Sequence, residues 1–143
     1  MAGTITGVLN RIQTQQGRPR MVEVVLTCTA DSAAHSYPAT VVNSLAGLSG
    51  FDIRGLKLYS VKAYPGAVAP TDGTDLTITD KYGIDLLGGK GTDLVDATSK
   101  TWIMAGPPDS YMPAFITGDI TVNISNNLID SAVTTLVLEL VGD

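Results

Sequence analysis

Between Met21 and Ala30 the chain alternates: Val22, Val24, Leu26, Cys28 and Ala30 fall on one side, and Glu23, Thr27 and Thr29 on the other. A period of two is the side-chain repeat of an extended strand, so this run belongs at a core boundary with one face buried. The pattern recurs. Leu76 and Ile78 alternate with Asp75, Thr77 and Thr79, and Ile120, Val122 and Ile124 alternate with Thr121, Asn123 and Ser125. The β-branched residues in these runs suit a pleated surface.

Two further runs are apolar on both faces. Leu56–Tyr64 carries Leu56, Leu58, Tyr59 and Val61, and Val133–Val141 carries Val133, Leu136, Val137, Leu138 and Leu140. Strands of that kind are central in a sheet, sandwiched, or packed on another subunit. Turn chemistry separates the runs: Gln15-Gln16-Gly17-Arg18-Pro19 after the first apolar stretch (Ile5–Ile12), then Tyr64-Pro65-Gly66, Pro70-Thr71-Asp72-Gly73, Tyr82-Gly83 and Gly88-Gly89-Lys90-Gly91. The first of these implies an opening hairpin. Only two segments invite a helix. Ala39–Leu48 has Val41, Val42, Leu45 and Leu48 at roughly helical spacing, confined by Pro38 and Gly47 to two or three turns, and Thr92–Ala97 has room for a single turn. The expected fold is one all-β domain over residues 1–143, an antiparallel β-sandwich or barrel with at most one or two short helices.

Hydrophobic residues are 44% of the chain and charged residues only 16%, and the mean hydropathy is +0.21. Neighbouring subunits are expected to cover some of that apolar surface, which makes a homo-oligomer the expectation. The net charge of −5, from 9 basic and 14 acidic residues, argues against nucleic acid and anionic membrane faces as partners. No apolar run is long enough for a membrane helix, and Met1-Ala2-Gly3-Thr4 lacks the regions of a signal peptide, so synthesis in a cytoplasm is expected. The single Cys28 cannot form an internal disulfide, and in its alternating run it reads as a buried thiol.

Catalytic groups are few. His35 is the sole histidine, and a Cys–His pair requires Cys28 and His35 to meet across a strand end with no third partner suggested. Asp72, Asp75, Asp80, Asp85, Asp93 and Asp96 gather in a glycine-rich stretch. They read either as turn residues bonding nearby amides or as oxygen ligands for calcium, although their spacing is not that of the known calcium loop. Gly88-Gly89-Lys90-Gly91-Thr92 lacks the full phosphate-loop pattern and reads as a bulge, corner or surface loop. No cofactor, metal or catalytic residue is expected, and the chain reads as a non-enzyme. Arg11, Arg18 and Arg20 lie in the first hairpin, either as a solvated turn or as a basic patch for an acidic partner. Trp102 and Tyr111 flank Gly106-Pro107-Pro108, where each is a candidate binding anchor, with a core role for Trp102 the alternative. These five residues form the candidate partner interface.

The stretch Leu58-Tyr59-Ser60-Val61-Lys62-Ala63-Tyr64-Pro65-Gly66-Ala67-Val68-Ala69-Pro70-Thr71-Asp72, followed by Leu76-Thr77-Ile78-Thr79-Asp80-Lys81-Tyr82-Gly83-Ile84-Asp85-Leu86-Leu87-Gly88-Gly89, resembles a group of small tailed-bacteriophage virion structural proteins. Their core reads PG-x-x-APTD followed by D-(I/L)-T-I-x-D-x-x-G-(I/V)-D-(I/L)-LGG. Gly118-Asp119-Ile120-Thr121-Val122-Asn123 and the apolar last strand fit the same group, so that about half the chain takes part. The resemblance implies a virion component and supplies no catalytic residues. Extended one step, it implies a capsid decoration (cement) protein on the capsid exterior, with the major capsid protein as partner, made in the host bacterial cytoplasm. The alternatives are a small carbohydrate- or receptor-binding β module of a tail or fibre, using Trp102, Tyr111 and the Asp-rich loops, and a carboxylate-dependent hydrolase, which would need two facing Asp side chains.

Overall fold

The structure is a computed structural model that describes residues 1–15 and 18–142, the side chains of 13–15 and 18–20 excepted. The described residues form nine strands: β1 Thr4–Gln15, β2 Arg18–Thr29, β3 Thr40–Val41, β4 Lys57–Pro65, β5 Asp75–Thr79, β6 Thr101–Met104, β7 Ala114–Phe115, β8 Thr121–Ser125 and β9 Val133–Val141. All pairings between them are antiparallel. The larger sheet runs β1-β2-β9-β4-β6, with β7 also on β4, and the smaller runs β3-β8-β5. The opening hairpin is present as the β1–β2 pair, closing with Gln15 opposite Arg18; its turn at residues 16–17 lies outside the described residues.

Both sheets turn their apolar face inward. Val22, Val24, Leu26 and Cys28 of β2, Leu136, Leu138 and Leu140 of β9, and Leu58, Val61 and Ala63 of β4 share one core with Leu76 and Ile78 of β5 and Val122 and Ile124 of β8. The alternation read from the sequence is therefore the alternation of burial, and the two doubly apolar runs are the two central strands β4 and β9. Cys28 is fully buried, and that burial pushes its thiol up to about 12.

Three local expectations need correction. Ala39–Leu48 is not a helix of two or three turns but strand β3 and two 3-10 turns, Val42–Ser44 and Ala46–Leu48. Asn43 accounts for the change: its Oδ1 accepts from Ile120 N at 2.9 Å and its Nδ2 donates to Gly118 O at 3.2 Å, pinning the segment to the entry of β8. Gly47 then presses against the backbone of Gly7, so closely that a Cβ would lie 1.6 Å from the Gly7 oxygen. Thr92–Ala97 likewise forms no helical turn, because Val95 exchanges backbone bonds with Thr74. A hairpin returning from β5 along Ile84–Leu87, which the Tyr82-Gly83 turn suggests, is reduced to one bridge, Asp85 to Thr79, before the chain turns away.

A buried asparagine fixes the far end of the small sheet. Asn127 Oδ1 accepts from Thr71 N and Ile129 N, while its Nδ2 donates to His35 O and Ile129 O, so one side chain fastens three loops.

The buried thiol gives a test by pH. It stays neutral in the folded chain, whereas the unfolded chain ionises from the ordinary value of 9.0. The raised folded value means that its contribution is fully present below pH 9 and is lost as pH climbs toward 12, at about 1.4 kcal/mol per pH unit. Urea midpoints should fall across that window and fall less steeply in Cys28→Ala, which removes the thiol and its smaller effect on Tyr37 while burial still raises the tyrosine. Equal slopes in the two chains would contradict a buried, neutral thiol.

Candidate protein-binding surface

The outer face of the large sheet carries no second layer, and its register lays side chains out in rows. Val8, Val25, Val137, Lys62 and Trp102 stand opposite one another across β1, β2, β9, β4 and β6. The adjacent row is Asn10, Glu23, Glu139, Ser60 and Met104, and a third runs Met21, Val141, Lys57 and Phe115. On this face Val8 and Trp102 are exposed, Trp102 at 64%, and Val25 and Val137 are half-buried. The core alternative for Trp102 is thereby excluded: its strand mates Thr101 and Ile103 face inward opposite Ala63 and Val61.

Lysines lie over the exposed rings. Lys62 Nζ is 5.5 Å from the Trp102 ring centre, Lys57 is 5.1 Å from Phe115, and Lys100 is 5.8 Å from Tyr64. Each such pair contributes about 0.5–1 kcal/mol at an exposed site. The one nearly buried acid on the face, Glu139, accepts from Ser60 Oγ and from Lys62 Nζ at 3.4 Å.

Tyr111 joins this surface through the proline loop. Trp102, Ile103, Met104 and Tyr111 line one shallow depression of about 290 Å³. The loop is held from behind by Lys90, whose ammonium donates to the carbonyls of Gly106 at 3.2 Å, Pro107 at 3.0 Å and Ser110 at 2.6 Å, and lies 5.1 Å from the Tyr111 ring. The glycine loop thus clasps the proline loop and has no ammonium to spare for a phosphate. Gly88 permits the contact: at φ +61°, any Cβ there would sit 2.4 Å from the Gly106 oxygen.

The Asp-rich stretch resolves into turn chemistry. Asp85 Oδ1 accepts from Ile78 N and Leu87 N, both at 3.1 Å, and its Oδ2 from Gly89 N at 2.9 Å. Asp80 Oδ1 caps Tyr82 N and Ile84 N, Asp75 takes Asp93 N, and Asp72 takes Ala97 N. No group of three or more His, Cys, Asp or Glu that could hold a metal ion occurs among the described residues.

Asp96 is held below its ordinary value chiefly by a side-chain hydrogen bond with Asp72 and next by one with Ser99. A polar cleft of about 480 Å³ is lined by Asp52, Asp119, Arg54 and Asn43. There the Arg54 guanidinium, in a two-pronged pair with Asp52 (Nη2 to Oδ2 2.8 Å), lowers the Asp52 carboxyl to about 2 and keeps it charged. His35 pairs with Asp130, Nδ1 to Oδ1 3.1 Å, on an exposed loop.

Of the five candidate residues, the structure brings Trp102 and Tyr111 together and sets Arg11 apart, its guanidinium 5.2 Å from the Phe51 ring on the core side of β1. The side chains of Arg18 and Arg20 lie outside the described residues. Sequence reasoning missed Val8, Val25, Val137, Lys62 and Phe115. The outward halves of the alternating strands are the signal for them, and only the register joins them into a patch. No helix among the described residues is long and apolar enough to cross a membrane. No protein-family model matches the chain, and neither a curated protein nor a solved structure matches it.

The clasp is testable. Asp85→Ala leaves three amides without their acceptor and should cost about 2–3 kcal/mol in urea unfolding. Lys90→Met should leave the global midpoint closer to the parent while speeding proteolysis within residues 106–110. Unchanged cleavage there would show that the ammonium does not hold the loop.

Proposed function

We propose that the chain is a binding protein rather than an enzyme, a virion structural component of a tailed phage that decorates the capsid exterior and stabilises contacts between capsomers. It is made in the host cytoplasm, carries no cofactor, and has the major capsid protein as its partner. The outer face of the large sheet carries the reading. It is an uncovered face on which Val8, Val25, Val137 and Trp102 share with Lys62 a row across five strands, with exposed aromatics at one edge.

Four strand spacings of about 4.8 Å and the four residue rises of about 3.4 Å between the first and third rows give a footprint of roughly 260 Å². That is about a third of the roughly 800 Å² per partner of a standard protein interface, the share of its centre, with the Tyr111 loop adjoining. Exposed patches of this kind mark interaction sites, and aromatic anchors dominate their energetics. The resemblance to phage virion proteins supplies the kind of partner. A glycan-binding module fits less well, because Trp102 and Tyr111 each have a lysine over the ring where a sugar would stack.

Capsid shells prepared without the chain provide the test. Added chain should bind them and raise their melting temperature, and Trp102→Ala or Val8→Asp should weaken binding roughly tenfold or more while leaving the fold intact. A folded chain that neither binds the shells nor raises their melting temperature would refute the proposal, and binding insensitive to both substitutions would move the contact off this face.

A further inference from the structure

Trp102, the only tryptophan of the chain, borders two depressions of the outer face. One is the hollow it shares with Tyr111. The other, of about 210 Å³, lies toward Lys100, and Lys62, Tyr64, Lys100, Trp102 and Val137 line it from the outer face. Register builds it. Lys62 stands opposite Trp102 on one side and Val137 on the other, and one step past Ala63 and Thr101 the ammonium of Lys100 lies over the Tyr64 ring. Tyr64 and Trp102 are thus diagonal neighbours on adjacent strands, both exposed, and within reach of one entering side chain.

Size restricts the occupant. Pockets for small molecules and cofactors begin at roughly 300 Å³. A hollow of about 210 Å³ on an open face suits a single apolar side chain of a larger partner.

Charge restricts it further. The chain carries −5 overall, yet this pocket is lined by two cations and no acid. Two acids come near it in sequence, and both are engaged. Glu139, beyond Val137, accepts from Ser60 and reaches Lys62 at 3.4 Å, and Asp96, before Lys100, bonds Asp72 and Ser99. Lys62 keeps 44% of its side chain in solvent, and no carboxylate among the described residues pairs with Lys100.

The rings and the ammoniums must be satisfied together. Lys62 and Lys100 lie 5.5 and 5.8 Å from the rings of Trp102 and Tyr64. A purely apolar segment entering between those rings breaks both contacts and gives the cations nothing in exchange. Carboxylates beside the apolar residue give each cation an ion pair as its ring contact is lost.

We infer that this pocket docks an acidic segment of the partner protein, with one apolar side chain between Tyr64 and Trp102 and flanking carboxylates on Lys62 and Lys100. The inference rests on the outer face being a protein-binding surface and names the chemistry of what binds there. Single-stranded nucleic acid also combines flat rings with anions, but two lysines neutralise too few phosphates to hold it on a net acidic chain.

As the sole tryptophan, Trp102 reports on its own pocket by fluorescence. The probe is a short capped peptide, a central leucine flanked by glutamates, titrated into the full chain. Control peptides carry glutamines or lysines in place of the glutamates, and a short oligothymidylate stands for nucleic acid. The glutamate peptide should change the Trp102 emission saturably and bind roughly tenfold more tightly than the glutamine peptide, an advantage that added salt removes. Lys62→Gln and Lys100→Gln should each reduce that advantage, with circular dichroism and melting midpoints near the parent's. Lys100 is exposed, so its variant is decisive even if Lys62→Gln disturbs Glu139. No saturable response, equal binding of the glutamate and glutamine peptides, or an advantage that survives Lys100→Gln would overturn the inference. So would tighter binding of the oligothymidylate. Shells that bind the chain while the glutamate peptide does not refute the acidic segment alone, and a peptide that binds while shells do not refutes the capsid reading alone.

Discussion

Strand β9 has a partner along each edge and apolar residues on both faces, and the large sheet is organised around it. On one side it pairs with β2 from Met21↔Val141 to Thr29↔Val133, on the other with β4 from Lys57↔Val141 to Pro65↔Thr134. Leu136, Leu138 and Leu140 go inward to the shared core, and Val133, Val137 and Val141 go outward. A strand so placed loses its backbone polar groups to neighbours and its inward side chains to the core, which leaves only one direction in which its apolar character can still meet water. The outer valines are thus a consequence of the strand's place in the sheet. Their counterparts Val8, Val25 and Trp102 extend them to both edges of the sheet.

That geometry separates two kinds of apolar surface on one face. The row is broad and nearly flat, with lysines laid on its aromatics, whereas the pocket between Tyr64 and Trp102 is narrow. A flat face gains from area and tolerates many approaches, while a pocket selects a side chain of matching size.

Much of the fold was legible because strand periodicity is local. Val22 to Ala30 and Ile120 to Ile124 declare their inward faces within a few residues, and the doubly apolar runs declare central positions. The errors fell where a distant partner decides. Val41, Val42, Leu45 and Leu48 suit a helix as well as they suit 3-10 turns, and the choice is made by Asn43 reaching Gly118 and Ile120 and by Gly47 against Gly7. Trp102 was ambiguous for the same reason: its face depends on standing opposite Lys62, which no window around Trp102 contains. Of the candidate site, the two aromatics were visible as residues, but the row they belong to was not, since cross-strand neighbours are defined by register alone. The roles of the aspartates were half-visible, as turn acids, while the threefold capping by Asp85 and the carbonyl clasp of Lys90 required the loops to be placed.

The lysines over the rings change what the face is before and after contact. An ammonium resting on an indole or phenyl ring keeps its own water over a surface that would otherwise be bare hydrocarbon. A partner that brings carboxylates or carbonyls can draw the same ammonium aside on its long stem and uncover the ring beneath. If the face docks as proposed, Lys57, Lys62 and Lys100 would be removable covers, each side chain wetting its ring in one position and uncovering it in another.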